Sequence, residues 1–93
     1  MGTFHEDLGE LHGITVVVET DGPLLFIGRC HEETAGGVIL LDADLHDADK
    51  DSMPREEYLA RAIRFGVWKK HDRVAIPRER VISIRRLGEM AAP

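Results

Sequence analysis

One cysteine in 93 residues, Cys30, leaves no partner for an internal disulfide. A reducing compartment is the default for such a chain, and a cytoplasmic location is expected. No apolar run approaches the roughly 18 residues that a membrane-spanning helix needs, so no membrane partner is expected. The segment Met1 to Leu11 carries acids where a secretory leader needs basic residues and then an apolar stretch, so none is expected there. Nine glycines and four prolines, set without a period, exclude collagen-like or low-complexity character. Aromatic residues make up only 5% of the chain, with a single tryptophan. Motifs that carry chemistry are equally scarce. No phosphate loop, no Gly-x-Ser-x-Gly and no spaced carboxylate pair in an apolar setting appears. No enzymatic activity, catalytic residue or cofactor is therefore expected.

What is present is an ordinary globular composition, 43% hydrophobic and 31% charged, of a length that suits one domain over 1–93. The net charge of −5 conceals an asymmetry. Residues 1–53 hold twelve acids and two bases, whereas residues 54–93 hold ten bases and five acids. Two readings stand. Arg61, Arg64, Lys69, Lys70, Arg73, Arg78, Arg80, Arg85 and Arg86 form a basic face for a polyanion. Alternatively, the two halves lie against each other, within a chain or between subunits, and neutralise.

The pattern predicts a mainly β domain. Phe4, Leu8 and Leu11 recur at helical spacing, which predicts a helix over about 3–12, with Gly13 as its stop. Ile14, Val16 and Val18 alternate with Thr15, Val17 and Glu19, which predicts a first strand over about 14–20. Asp21-Gly22-Pro23 is a turn. A second strand is predicted over about 24–31, with Gly28 marking a bend or bulge. His31 to Gly37 suits a hairpin loop. A third strand follows over about 38–45, and its opening Val38-Ile39-Leu40-Leu41 is apolar on both faces, as in a strand covered on both sides. After a polar break, Pro54 opens a helix over about 54–65, with Glu56 and Glu57 in its first turn and Gly66 as its stop. Strands over about 73–77 and 81–87 close the chain, and the tail from Gly88 is expected to fray.

That order resembles the Sm-like (LSm) ribonucleoprotein fold. The likeness runs over roughly residues 4–87. Ile14 to Val18, Asp21-Gly22, Leu24 to Gly28 and Val38 to Asp42 correspond to the first motif of the family. Ile76, Val81 and Ile84 correspond to the second. The resemblance implies a small, strongly bent five-stranded antiparallel barrel with an N-terminal helix and a helix inserted between strands 3 and 4. It implies a homo-oligomeric closed ring, made by pairing edge strands of successive subunits, with Val74, Ile76, Val81, Ile82 and Ile84 at the interface. It also implies RNA or single-stranded nucleic acid as partner. Lys69, Lys70, Arg73, Arg78 and Arg80 would hold phosphates, with Trp68 for stacking. Family members that bind uridine-rich RNA carry an aspartate and an asparagine in the loop after the second strand. This chain has Glu33-Thr34-Ala35-Gly36-Gly37 there and no asparagine at all. The family's arginine–glycine pair between the last strands corresponds here to Pro77-Arg78. A structural or protein-interaction ring without nucleic acid is the alternative, and an SH3-like or KOW-type barrel shares the strand count.

Three further clusters have two readings each. Asp47, Asp49 and Asp51 have the spacing of the first ligands of an EF-hand loop, but Ser52 and Tyr58 stand where that loop needs glycine and glutamate, so no metal site is expected and a solvated acidic loop is. His31 beside Cys30 invites a nucleophile reading, but neighbours in a strand point to opposite faces. Trp68-Lys69-Lys70-His71-Asp72-Arg73 reads as an aromatic–cation platform, or as a tryptophan packed under the inserted helix with its lysines in water.

Overall fold

The computed structural model describes residues 11–90, so the helix expected over 3–12 lies almost wholly outside the described residues. Five strands form one antiparallel sheet: β1 (Thr15–Thr20), β2 (Leu24–Thr34), β3 (Gly37–Asp47), β4 (His71–Pro77) and β5 (Val81–Arg86). A helix, α1 (Arg55–Phe65), is inserted between β3 and β4. A 3-10 turn, Arg78–Arg80, joins β4 to β5, and a short helix, α2 (Leu87–Met90), ends the described chain. The spatial order β4-β3-β2-β1-β5 makes β4 and β5 the two edges. No described helix is long and apolar enough to cross a membrane.

Side-chain alternation gives the sheet two apolar faces. On one, Val16, Val18, Phe26, Cys30, Val38, Leu40, Ala43 and Ile76 form a buried cluster. Val74 of β4 and Val81 and Ile84 of β5 pack on this same cluster from opposite edges of the sheet. The sheet is therefore strongly curled. The expected barrel is not closed by hydrogen bonds, because no β4–β5 ladder is present among the described residues.

The curl has a local cause. Between Ile27↔Asp44 and Arg29↔Leu41 the register shifts, so Asp42 and Ala43 together oppose Gly28. Such a bulge bends and twists the strand that carries it. Asp42 takes a left-handed conformation (φ 51°), which a short polar side chain tolerates, and its carboxylate meets Arg29 at 3.0 Å. Gly28 is required by close approach, since a Cβ there would lie 2.8 Å from the Ala43 Cβ.

The other face is covered by α1. Val17, Leu25 and Ile27 are buried against Ala62, with Tyr58, Leu59, Ile63 and Val67 packed around them and Leu87 of α2 completing the group. Leu59, Ala62 and Ile63 form one apolar stripe of the helix, and that stripe seals the sheet.

Two expectations need correction. β2 and β3 run on through Thr34 and from Gly37, which leaves a two-residue turn, Ala35-Gly36, in place of the expected longer loop. Cross-strand pairing there overrides weak local propensity. The last strand ends at Arg86, and Leu87, only 9% exposed, anchors a helical turn where strand and then fraying tail were expected.

Candidate functional site

α1 ends at Phe65, and Gly66, in the left-handed region (φ 94°), donates its backbone N–H to the Ala62 carbonyl. The chain then crosses to β4 through Val67-Trp68-Lys69-Lys70. Val67 takes the place under the helix, so the reading in which Trp68 packs there is overturned: Trp68 is 75% exposed and Phe65 76%. The Arg64 guanidinium lies over the Phe65 ring, 5.5 Å from its centroid. Lys69 and Arg73 have no carboxylate within 4.0 Å among the described residues, and both are exposed. Lys70 is exposed as well, with its Nζ 3.9 Å from Asp44 Oδ1.

Arg78 and Arg80 sit apart from this group, at the far end of β4. Arg78 Nη2 donates to Glu33 Oε2 (3.1 Å) and to the Thr34 carbonyl (2.8 Å), tying the 3-10 turn to the β2–β3 hairpin. Arg80 Nε meets Asp21 Oδ1 at 3.0 Å. Arg55 and Arg85 each approach Glu19, both at 3.8 Å. The acidic and basic halves of the sequence therefore neutralise in part within one chain, which removes these arginines from the free basic face. Of the residues expected at a subunit interface, Ile76 is 3% exposed, Val74, Val81 and Ile84 are half-buried in the core, and Ile82 is 65% exposed.

Beside Trp68 lies a constellation that joins Asp44, from the end of the expected third strand, to His46 of the expected polar break. Register pairs Leu25 with His46 and Ile27 with Asp44, so Asp44 and His46 share the α1 face of β3. Asp44 is 4% exposed and His46 2%. The Tyr58 hydroxyl donates to Asp44 Oδ2 at 3.0 Å. Burial, then the Asp44 charge and hydrogen bond, then Asp51, push the Tyr58 phenol well above its ordinary value of 10.0. His46 Nε2 lies 2.6 Å from the Met53 carbonyl, so that nitrogen carries the proton and donates. The missed signal was the two-residue spacing of Asp44 and His46, which places both on one face of a strand.

The remaining clusters resolve simply. Asp47 Oδ1 accepts from the Asp49 N–H, and Asp51 Oδ2 accepts from the Asp47 N–H, both at 2.9 Å, so these carboxylates cap their own turn. No group of three or more metal-ligating side chains gathers among the described residues. Cys30 is buried, and burial followed by Glu33 pushes its thiol above the ordinary 9.0, whereas His31 is exposed on the other side of the strand. That is no nucleophile–base pair.

No family model matches the sequence. DNA ligases from two strains of Cereibacter sphaeroides are 34% and 33% identical in alignments 90 residues long that cover 90% of this chain. The chain spans 13% of the length of these curated relatives. Among solved structures, an Sm protein of Pyrococcus abyssii in complex with a uridine heptamer superposes with a TM-score of 0.55 at 19% identity, covering 90% of this chain and 92% of that one. A chain of the NatC complex bound to CoA gives a TM-score of 0.57 at 18% identity, covering 85% and 82% respectively. At these identities the likeness is one of fold. The five-stranded antiparallel sheet with two short helices is consistent with the Sm-like fold.

Proposed function

We propose that this chain is a single Sm-like domain that assembles into a homo-oligomeric ring and holds single-stranded nucleic acid, RNA or DNA, on Phe65, Trp68, Lys69, Lys70 and Arg73. The observation that carries binding is the pair of aromatic rings, 76% and 75% exposed, set beside cations of which Lys69 and Arg73 lack a carboxylate partner among the described residues. A chain this poor in aromatics gains more stability by burying its one tryptophan than by leaving it in water. Stacking platforms beside phosphate-holding cations are the common device for single strands. The uridine heptamer held by the Sm protein of like fold, and the name of the ligases that share this sequence segment, support nucleic acid as the partner.

Assembly is supported by the two open edges. Among the described residues, β4 and β5 each pair with a strand on one side only. Pairing β4 of one copy with β5 of the next is a head-to-tail contact, which closes into a ring when the rotation permits. Of the residues expected at the interface, Ile82 is the exposed side chain. Val74, Ile76, Val81 and Ile84 hold the two edge strands to the core.

Fluorescence anisotropy with labelled single strands, read between about 50 and 200 mM salt, tests the surface. Lys69, Lys70 and Arg73 give a logarithmic salt slope of about −2, which is about a twentyfold loss of affinity over that range. Trp68→Ala lowers affinity by about tenfold. Binding that ignores both salt and Trp68 refutes the assignment. A second reading, a ring that scaffolds other proteins without nucleic acid, is favoured by the engagement of Arg78 and Arg80 with Glu33 and Asp21. Native mass spectrometry separates the two: a ring that retains nucleic acid supports the first, and a bare ring that binds no added strand supports the second.

A further inference from the structure

A cleft of about 650 Å³ opens between the end of β3, the 47–53 turn, α1 and the 66–70 segment. We infer that this cleft reads a guanine base, an inference that rests on the nucleic-acid surface proposed above. Its volume lies in the range of small-molecule sites. Phe65 and Trp68 form part of its wall, and Asp44, His46, Tyr58 and Lys70 are among its polar groups. Lys50, Asp51, Ser52 and Arg61 line it as well.

Those polar groups favour one base. Among the described residues the Asp44 carboxylate accepts one hydrogen bond, from Tyr58, although an ionised carboxylate has about four acceptor sites. His46 lines the same cleft. With its Nε2 proton committed to Met53, its Nδ1 is a buried acceptor that no donor among the described residues reaches. Asp44 thus keeps open acceptor sites in the cleft, and a cation, Lys70, stands 3.9 Å from its Oδ1. A base that fits must offer adjacent N–H groups to the carboxylate and an oxygen to the ammonium.

Guanine does so, with N1–H and the N2 amino group side by side and O6 next to them. Adenine and cytosine each offer a single amino group followed by a ring acceptor, so only one bond to Asp44 forms. Uracil and thymine set one N–H between two carbonyl oxygens, which a carboxylate repels. Trp68 and Phe65 supply the apolar faces against which a purine, the larger ring, gains the most contact. The guanine comes either from within a strand or from a free nucleotide.

The test uses the intact chain, whose sole tryptophan makes its fluorescence report on the cleft. Short thymidine strands that differ in one central base are titrated against it. The guanine strand is expected to bind about tenfold or more tighter than the other three and to quench Trp68 most strongly. Asp44→Asn is expected to bring the guanine-to-thymine affinity ratio close to one. The comparison of strands on the unaltered chain stands even if that variant folds poorly. Guanosine monophosphate identifies the source: quenching at the concentration the strand requires assigns a free nucleotide, and weaker quenching assigns a base within a strand. Equal binding of all four strands overturns the guanine reading and leaves the nucleic-acid surface in place. Binding by no strand overturns that surface. In that case, quenching by guanosine but not adenosine monophosphate keeps the cleft as a guanine nucleotide site, and quenching by neither overturns both.

Discussion

Gly28→Ala puts a methyl group where β3 leaves no room for one. An ideal Cβ at this position lies 2.8 Å from the Ala43 Cβ, 3.1 Å from the Ala43 Cα and 3.2 Å from the Leu40 Cβ. None of the three is the end of a flexible side chain, so relief requires β2 and β3 to separate at the bulge. Overpacking of this kind costs about 1–3 kcal/mol. Loss of glycine's freedom in the unfolded chain offsets about 0.4–1 kcal/mol of that. The net is about 1–2 kcal/mol, which for a domain of this length lowers Tm by about 5–15 °C. Circular dichroism melts and urea titrations of Gly28→Ala, Ala43→Gly and the double variant measure it. Because Ala43→Gly removes the tightest contact, the double variant is expected to be more stable than the sum of the single effects by about 1 kcal/mol. A Tm within about 2 °C of the parent, or strict additivity, refutes the steric account of the bend.

Two other substitutions test the polar chemistry. Tyr58→Phe removes a donor from buried Asp44 and is expected to cost about 1–3 kcal/mol near neutral pH. The folded-state phenol titrates above its ordinary 10.0, so above that pH the unfolded chain sheds a proton that the folded chain keeps, and stability falls as pH rises. Tyr58→Phe is expected to flatten this alkaline decline in urea titrations, and the Cys30 contribution, which begins above 9.0, persists. An unchanged slope refutes the assignment to Tyr58. Arg78→Ala breaks the part-exposed contact with Glu33, costs about 1 kcal/mol or less, and leaves strand affinity within about twofold by anisotropy. A larger loss of affinity returns Arg78 to the binding surface.

The strands were legible because apolar alternation is a direct consequence of sheet geometry. The chain order, the inserted helix at Arg55–Phe65 and the bend at Gly28 all follow the pattern of the sequence. Polar ends were less legible. Glu32 to Thr34 and His46 to Asp47 look like loop, yet each pairs across β2 and β3. The basic surface was half legible. Trp68, Lys69, Lys70 and Arg73 stand out as a run, but whether an arginine is free depends on which acid the fold brings opposite it. Glu33 lies 45 residues from Arg78, and no local rule links them. Asp44 and His46 were hidden for a different reason. They sit among acids that do face water, and only strand register separates the buried carboxylate from the exposed ones.

The attachment of α1 has a consequence for hydrogen exchange. The helix covers Val17, Leu25 and Ile27 but lends no backbone group to the sheet ladders. Its two tethers, 48–54 and 66–70, are irregular segments, so α1 can swing away as a unit while every strand pair stays intact. Its amides then exchange through a local opening that costs less than global unfolding, whereas those of central β1 and β2 wait for global unfolding. A base lodged between Trp68 and Asp44 bridges one tether to the sheet. Occupancy of the cleft is therefore recorded as slowed exchange along Arg55–Phe65, with β1 and β2 unchanged.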